Sequence, residues 1–180
     1  VSYEAGADLS ISKGRGAVSA TWFFSDHQGL IQFVDSAPGP FGLGQIRNVD
    51  AISRGVEMNG AWQLTEMVGF ACAYTYTATW DKTNRQRILG IPNQRGSLSV
   101  LVTPTSRLQG RVDWRVESDE LDAPPNGGDK RRPGYARVDL HGRYLWATGS
   151  REAPQVTLTG KVQNVLNRSY EERKEYPAPG

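Results

Sequence analysis

The chain has a single cysteine, Cys72, in 180 residues, so it can build neither an intrachain disulfide framework nor a multi-cysteine zinc site. Histidine is almost as scarce, with only His27 and His141, which leaves little for imidazole metal binding or acid–base work. No run approaches the roughly 20 consecutive apolar residues that a membrane helix needs, so a helical membrane protein is excluded. A charge of one sign is also missing. The balance is +2 from 21 basic and 19 acidic residues, scattered except for Lys130-Arg131-Arg132, and no nucleic-acid-binding surface follows from it. Gly39-Pro40-Phe41-Gly42-Leu43-Gly44 lacks the Lys-Ser/Thr of a phosphate loop. No signal-peptide pattern opens the chain at Val1; for an exported protein this implies removal, or a chain that begins partway through its parent.

What the sequence does have is a period of two. Between Val68 and Trp80 one parity reads Val68, Phe70, Cys72, Tyr74, Tyr76, Ala78, Trp80, and the other reads Gly69, Ala71, Ala73, Thr75, Thr77, Thr79. Successive strand side chains point to opposite faces, so this is a strand with one large apolar face and one small, weakly polar face. Leu108, Val112, Trp114 and Val116 alternate in the same way with Gln109, Arg111, Asp113, Arg115 and Glu117. Tyr3–Ile11, Val18–Phe24 (Phe23 excepted), Val56–Leu64, Leu98–Val102, Ala136–Trp146 and Val156–Val162 repeat the pattern. The reading is all-β, with about eight antiparallel strands of roughly 9–13 residues, nearer the ~9–11 of membrane-spanning strands than the ~5–6 of globular ones. A modest hydrophobic content of 38% is compatible with this, because lipid-facing and lumen-facing residues alternate.

The connections separate into two classes that alternate along the chain. Lys13–Gly16, Thr65–Met67, Thr103–Arg107 and Thr148–Pro154 are short; His27–Asp50, Trp80–Gln94, Ser118–Gly134 and the tail after Leu166 are long. A soluble sandwich has no reason to gather every long loop at one end, whereas an outer-membrane barrel pairs short periplasmic turns with long extracellular loops. Trp62, Trp80, Trp114 and Trp146 stand towards strand ends on the apolar face, as interfacial aromatic girdles do. These features give an antiparallel transmembrane β-barrel, with a soluble β-sandwich as the alternative.

Several segments resemble the C-terminal barrel region of TonB-dependent outer-membrane receptors. They are Val162-Gln163-Asn164-Val165-Leu166-Asn167-Arg168-Ser169-Tyr170 with the following Tyr176-Pro177-Ala178-Pro179-Gly180, then Arg47-Asn48-Val49 with Arg54-Gly55-Val56-Glu57, then Ile91-Pro92-Asn93, and Ser2-Tyr3-Glu4-Ala5-Gly6 at the start. The resemblance implies that residues 1–180 are the C-terminal part of a larger barrel of about 22 strands with a plugged lumen, lacking the plug domain and the last strand. It implies an outer-membrane receptor of a Gram-negative type of bacterium. Such a receptor takes up a metal chelate (a ferric siderophore by default) or a cobalamin-like cargo, with the TonB complex as partner through the plug. No enzyme activity, cofactor or metal site is implied. A structural or adhesive barrel without a plug is the alternative function. Eight strands could also close as a small barrel of their own, although the small residues Gly69, Ala71, Ala73, Ser97 and Ser99 suit a wide barrel better.

On this reading the cargo-contact candidates are Phe41, Arg47, Asn48, Arg85, Arg87, Lys130, Arg131, Arg132, Tyr170 and Tyr176 on the long loops. Lys130-Arg131-Arg132 is most simply a solvated run. The lumen- and plug-facing candidates are Arg111, Asp113, Arg115, Glu117, Arg137, Asp139 and Arg143. Cys72 reads as a small lipid-facing residue rather than a reactive thiol.

Overall fold

The computed structural model describes residues 1–11, 14–34, 45–121, 131–146, 155–173 and 176–177. The strands are β1 (Ser2–Ile11), β2 (Gly16–Val34), β3 (Gln45–Gln63), β4 (Val68–Asp81), β5 (Gln94–Thr105), β6 (Leu108–Glu117), β7 (Glu120–Leu121), β8 (Arg131–Arg132), β9 (Tyr135–Trp146), β10 (Val156–Val162), β11 (Glu171–Arg173) and β12 (Tyr176–Pro177). Eight of them form one sheet in the order β1-β2-β3-β4-β5-β6-β9-β10, while β7 pairs with β8 and β11 with β12. Every pairing in the large sheet is antiparallel. β1 and β10 do not pair with each other, so the eight strands do not close. The architecture is a partial barrel wall with two open edges.

Among the described residues no hydrophobic core lies behind this sheet. Of those residues only Ala51, Ile88, Pro92 and Tyr170 are buried apolar side chains, while Leu9 (62% exposed), Trp22 (47%), Trp114 (46%) and Leu158 (52%) lie open on one face. Water does not tolerate a continuous apolar surface of this kind, and a packed sandwich would have covered it. The soluble alternative fails on this ground.

Two of the short turns share one device. Thr65 Oγ1 accepts from the amides of Met67 and Val68, and Thr105 Oγ1 accepts from those of Arg107 and Leu108; in each, a hydroxyl satisfies donors that the ladder leaves unpaired. Between β1 and β2, Gly14 stands at φ +88°, a conformation open to glycine.

The long connection expected at His27–Asp50 is largely strand. β2 runs on to Val34 and β3 begins at Gln45, both 19 residues long. The register jumps between His27 and Leu30, with Gly29 at φ +67° and its amide bonded to Asp50 Oδ1 at 3.0 Å. This bulge shifts the parity by one, so a single alternation template loses the strand beyond it. Similarly, β5 extends past Pro104 to Thr105 by a shift between Val102 and Thr105, which accommodates a residue unable to donate to the ladder.

Phe23, the exception to the alternation, also has a structural reason. Its ring covers Gly55 on the neighbouring strand, where a Cβ would lie 2.7 Å from Phe23 Cζ and against the Tyr76 carbonyl. On the other face Trp62 covers Gly16 in the same manner. Gly55→Ala should therefore destabilise the barrel by about 1–3 kcal/mol through overpacking. Gly110→Ala, with nothing within 4 Å of its Cβ position, should change little. The unfolding midpoints of both variants of the full-length protein in lipid vesicles check this.

Candidate functional site

The polar face of β6 and β9 carries its charges in cross-strand rows. Arg111 stands opposite His141, Asp113 opposite Asp139, Arg115 opposite Arg137, and Glu117 opposite Tyr135. Like charges directly opposite destabilise a sheet unless something compensates them. Asp113 is compensated: Ser99 Oγ donates to its Oδ1 at 2.6 Å, and Arg111 Nη2 and His141 Nε2 each lie 3.0 Å from its Oδ2. Asp139 is compensated from its other side, by Arg137 Nη2 at 3.1 Å and the Asn164 amide at 2.9 Å. Ser99, Asp113 and His141 thus meet, but the carboxylate sits between hydroxyl and imidazole. A nucleophilic serine needs the imidazole in that place to take its proton.

Towards the long-loop end this face rises into a buried polar cluster. Arg132, on β8, is 1% exposed. Its Nε donates to Glu120 Oε1 at 2.8 Å, its Nη2 to Glu117 Oε1 at 2.6 Å, and its Nη1 to the Glu171 carbonyl at 2.8 Å. Burial works against its charge, yet the bonds to Glu120 and Glu117 outweigh that and hold the proton more tightly than on a free arginine. The segment after β10 folds onto the same face. Tyr170 stacks on Tyr135 with centroids 4.4 Å apart and takes a bond from Arg137 Nη1 at 2.7 Å on its hydroxyl. Asn164 and Asn167, at φ +52° and +47°, make the turn that brings it there. The Asn164 side chain closes that turn, accepting from the Arg168 amide and donating to the Arg168 carbonyl. One guanidinium therefore joins the β6–β9 connection to the β10 tail.

The other long connections are tied down by shorter links. Lys82 pairs with Asp26, and its amide bonds the Asp50 carbonyl, which joins the β4–β5 connection to the β2–β3 hairpin. Arg87 Nη2 donates to Asn93 Oδ1 at 2.7 Å, and Asp119 stands 4.0 Å from Arg87 Nη1 and 3.1 Å from Arg131 Nε. Asp81 caps its own turn by accepting from the Thr83 and Asn84 amides and Asn84 Nδ2. Burial opposes its charge, but those bonds win and hold its carboxyl below the usual range. Their contribution is present above the ordinary carboxylate pKa and is lost as the pH falls through the lowered value.

The cargo-contact candidates thus part company. Arg85 is exposed on the β4–β5 connection, and Arg87 and Arg131 meet at Asp119. Arg47 and Asn48 are exposed on the extended β2–β3 hairpin, opposite Gln32 and Ile31, rather than on a loop. Arg132 and Tyr170 are buried, so Arg132 is no solvated residue of a charge run but the centre of an ion-pair cluster. Tyr176 lies in β12, and Phe41 and Lys130 fall outside the described residues. The polar-face candidates Arg111, Asp113, Arg115, Glu117, Arg137, Asp139 and Arg143 share one face of β6 and β9. Sequence reasoning passed over Glu120, Tyr135 and Asn164 as site residues. An aromatic on the polar parity of β9 was the available signal for Tyr135.

Residues 1–165 match the family model described as TonB dependent receptor-like, beta-barrel. Comparison with curated proteins gives no match. Among solved structures, the copper transporter OprC aligns at TM-score 0.76 and 19% identity, over 99% of this chain and 29% of its own. The ferric-catecholate import receptor Fiu from K12 E. coli aligns at 0.72 and 15%, over 98% of this chain and 25% of its own. The ferric yersiniabactin uptake receptor FyuA from Yersinia pestis aligns at 0.71 and 15%, over 98% and 27%. The chain spans between a quarter and three-tenths of the length of these structures.

Removing one partner from a buried ion pair leaves an uncompensated charge and costs about 3–5 kcal/mol. Arg132→Ala should therefore raise amide exchange in both the β6–β9 connection and the Asn164–Arg173 segment. Arg131→Ala, at a side chain 66% exposed, should move stability by less than about 1 kcal/mol. Hydrogen-exchange mass spectrometry on the full-length protein reads both, and exchange rising in only one of the two segments would show that they are not joined through Arg132.

Proposed function

This chain belongs to the TonB-dependent receptor family, and from that premise we propose that it is the wall and outer-loop platform of an outer-membrane active-transport receptor. The proposed cargo is a metal chelate, with a ferric siderophore as the leading class. The TonB complex supplies the energy through a plug domain outside this chain. One observation carries the reading: the family's barrel model covers residues 1–165 of a sheet whose apolar face has nothing of its own to pack against.

The physical division of labour follows. The apolar face, with Trp22, Trp114 and Trp146 exposed, meets lipid, because only there does exposure of that surface cost nothing. The polar face meets the lumen, where water or a plug tolerates Arg111, Arg115 and Arg143. The long connections after β2, β4, β6 and β10 lie at one end, which the family's orientation assigns to the cell exterior. Exposed Arg47, Arg85 and Arg131 make that end a reasonable platform for an anionic chelate. Buried Arg132 and Tyr170 hold the platform in shape rather than touch cargo. The relatives named for ferric catecholate, ferric yersiniabactin and copper favour a metal-containing cargo over a cobalamin-like one. Chemistry on the cargo is not part of the proposal, given the order of Ser99, Asp113 and His141.

The test is growth of an iron-starved strain lacking its own receptors but carrying the full-length gene, supplied with a panel of ferric chelates. Growth on at least one chelate that vanishes when TonB is deleted is the expected result. Growth on cobalamin alone would move the cargo class, and no TonB-dependent uptake of any cargo would favour a structural or adhesive barrel.

A further inference from the structure

One charged residue breaks the division between the two faces. The register sets Tyr3, Phe24, Arg54 and Ala78 in a single cross-strand row of the apolar face. The next row towards the short turns holds Ala5, Trp22, Val56 and Tyr76; the next towards the long connections holds Asp26, Ile52 and Trp80. Among the described strands of the large sheet, the other charged side chains stand on the polar parity, with two exceptions, Asp26 and Asp50. Both lie further towards the long connections than Arg54, and both are engaged. Asp26 pairs with Lys82, and Asp50 accepts from the Gly29 amide. Arg54 is exposed, and among the described residues it forms no ion pair or hydrogen bond. Its Cζ lies over the Trp80 ring, 4.8 Å from the centroid.

A guanidinium keeps its charge at any ordinary pH, and on a lipid-facing wall that charge is costly unless something opposes it. The cost is largest at the bilayer midplane and falls towards the interfaces. Arg54 reaches the right way: contact with Trp80 carries its head one row, about 7 Å, towards the long connections. A girdle tryptophan sits at headgroup level, and its ring face attracts the cation. The contact still leaves the guanidinium's N–H donors without an acceptor, in a zone where the available acceptors are lipid headgroups. The planar fork of arginine matches phosphate in a bidentate manner. We propose that Arg54, resting on Trp80, binds the phosphate of a lipid headgroup on the outer surface of the barrel, at its long-loop end. This rests on the outer-membrane reading above. Exposed Tyr3, Trp22 and Tyr76 surround the position, an aromatic field suited to the acyl chains beneath that headgroup. A lone cation in such a field offers a partner protein little polar rim to recognise.

The test reconstitutes the full-length receptor in vesicles of phosphatidylglycerol and in vesicles of digalactosyl diacylglycerol, a bilayer-forming lipid without phosphate. Phenylglyoxal labels accessible guanidinium groups, and peptide mass spectrometry reads the label at each arginine. Arg54 should be labelled several times more slowly in phosphatidylglycerol. Arg85, exposed on the β4–β5 connection, should be labelled alike in both. Inorganic phosphate added to the galactolipid vesicles should give Arg54 no such protection. In native mass spectrometry, Arg54→Gln should retain phosphatidylglycerol roughly tenfold less well than the unaltered receptor, having lost a charge-assisted pair. Arg115→Gln, which removes the same charge from the polar face, should retain it as before. Equal labelling of Arg54 in the two vesicles overturns the proposal, and so does unchanged lipid retention by Arg54→Gln. Protection by inorganic phosphate alone also overturns it, since the site would then take a free anion rather than a lipid. If Arg54→Gln does not fold, the labelling of the unaltered receptor decides. A receptor that floats with neither vesicle removes the outer-membrane reading itself, whereas one that inserts without protecting Arg54 removes the headgroup site alone.

Discussion

The constraint on which the rest depends is an apolar face with nothing to pack against. Most β-proteins resolve alternation by turning apolar parity inward onto a second layer. Here the described residues contain no second layer and almost no buried apolar side chain. The free energy that stabilises an ordinary domain by burial must come instead from lipid around the apolar face and from the completed ladder within the sheet. Both edges, β1 and β10, must find partners for the same reason, because an unpaired ladder edge has no water to satisfy it in a bilayer.

That constraint shapes the other face. Without a core to hold them, the long connections are ordered by polar contacts built on strand residues. Arg132 illustrates the balance. Burying a guanidinium is costly, but Glu117, Glu120 and the Glu171 carbonyl occupy three of its donor directions, and the fork geometry of arginine suits this better than a lysine point charge would. Tyr135 and Tyr170 add stacked area at the same spot. The result fixes two chain segments relative to one strand pair.

Legibility in the sequence followed periodicity. Val68–Trp80 and Leu108–Glu117 could be read because alternation there is unbroken for a whole strand, and β4 and β6 lie where the pattern puts them. β2 beyond His27 could not, because Gly29 shifts the phase and one parity template then scores the remainder as irregular; β3 before Val56 could not, because apolar and polar residues do not alternate there. Arg132 was illegible for a different reason. In Lys130-Arg131-Arg132 nothing local separates the third residue from its neighbours, and its burial is set by Glu117, Glu120 and Glu171, the last 39 positions away. Asn164 fell between these cases: the resemblance located its segment, but that its amide anchors Asp139 depends on a left-handed turn no pattern announces.

The same contrast explains why identity is firm for the wall while cargo stays a proposal. A wall residue is constrained by a repeating environment, lipid on one side and lumen on the other, so its chemistry repeats, and the family model matches residues 1–165. A loop residue answers to one partner only. Arg87 and Arg131 meet Asp119, Lys82 meets Asp26, and none of these pairs follows from a period. On the proposed function, specificity for a chelate is written in such single contacts, since a uniform wall cannot discriminate among cargoes of similar charge. A change of cargo in this fold is therefore expected to come from exposed side chains such as Arg85 and Arg47, with Arg132 and Tyr170 retained. Altering those two would loosen the platform on which any specificity has to be built.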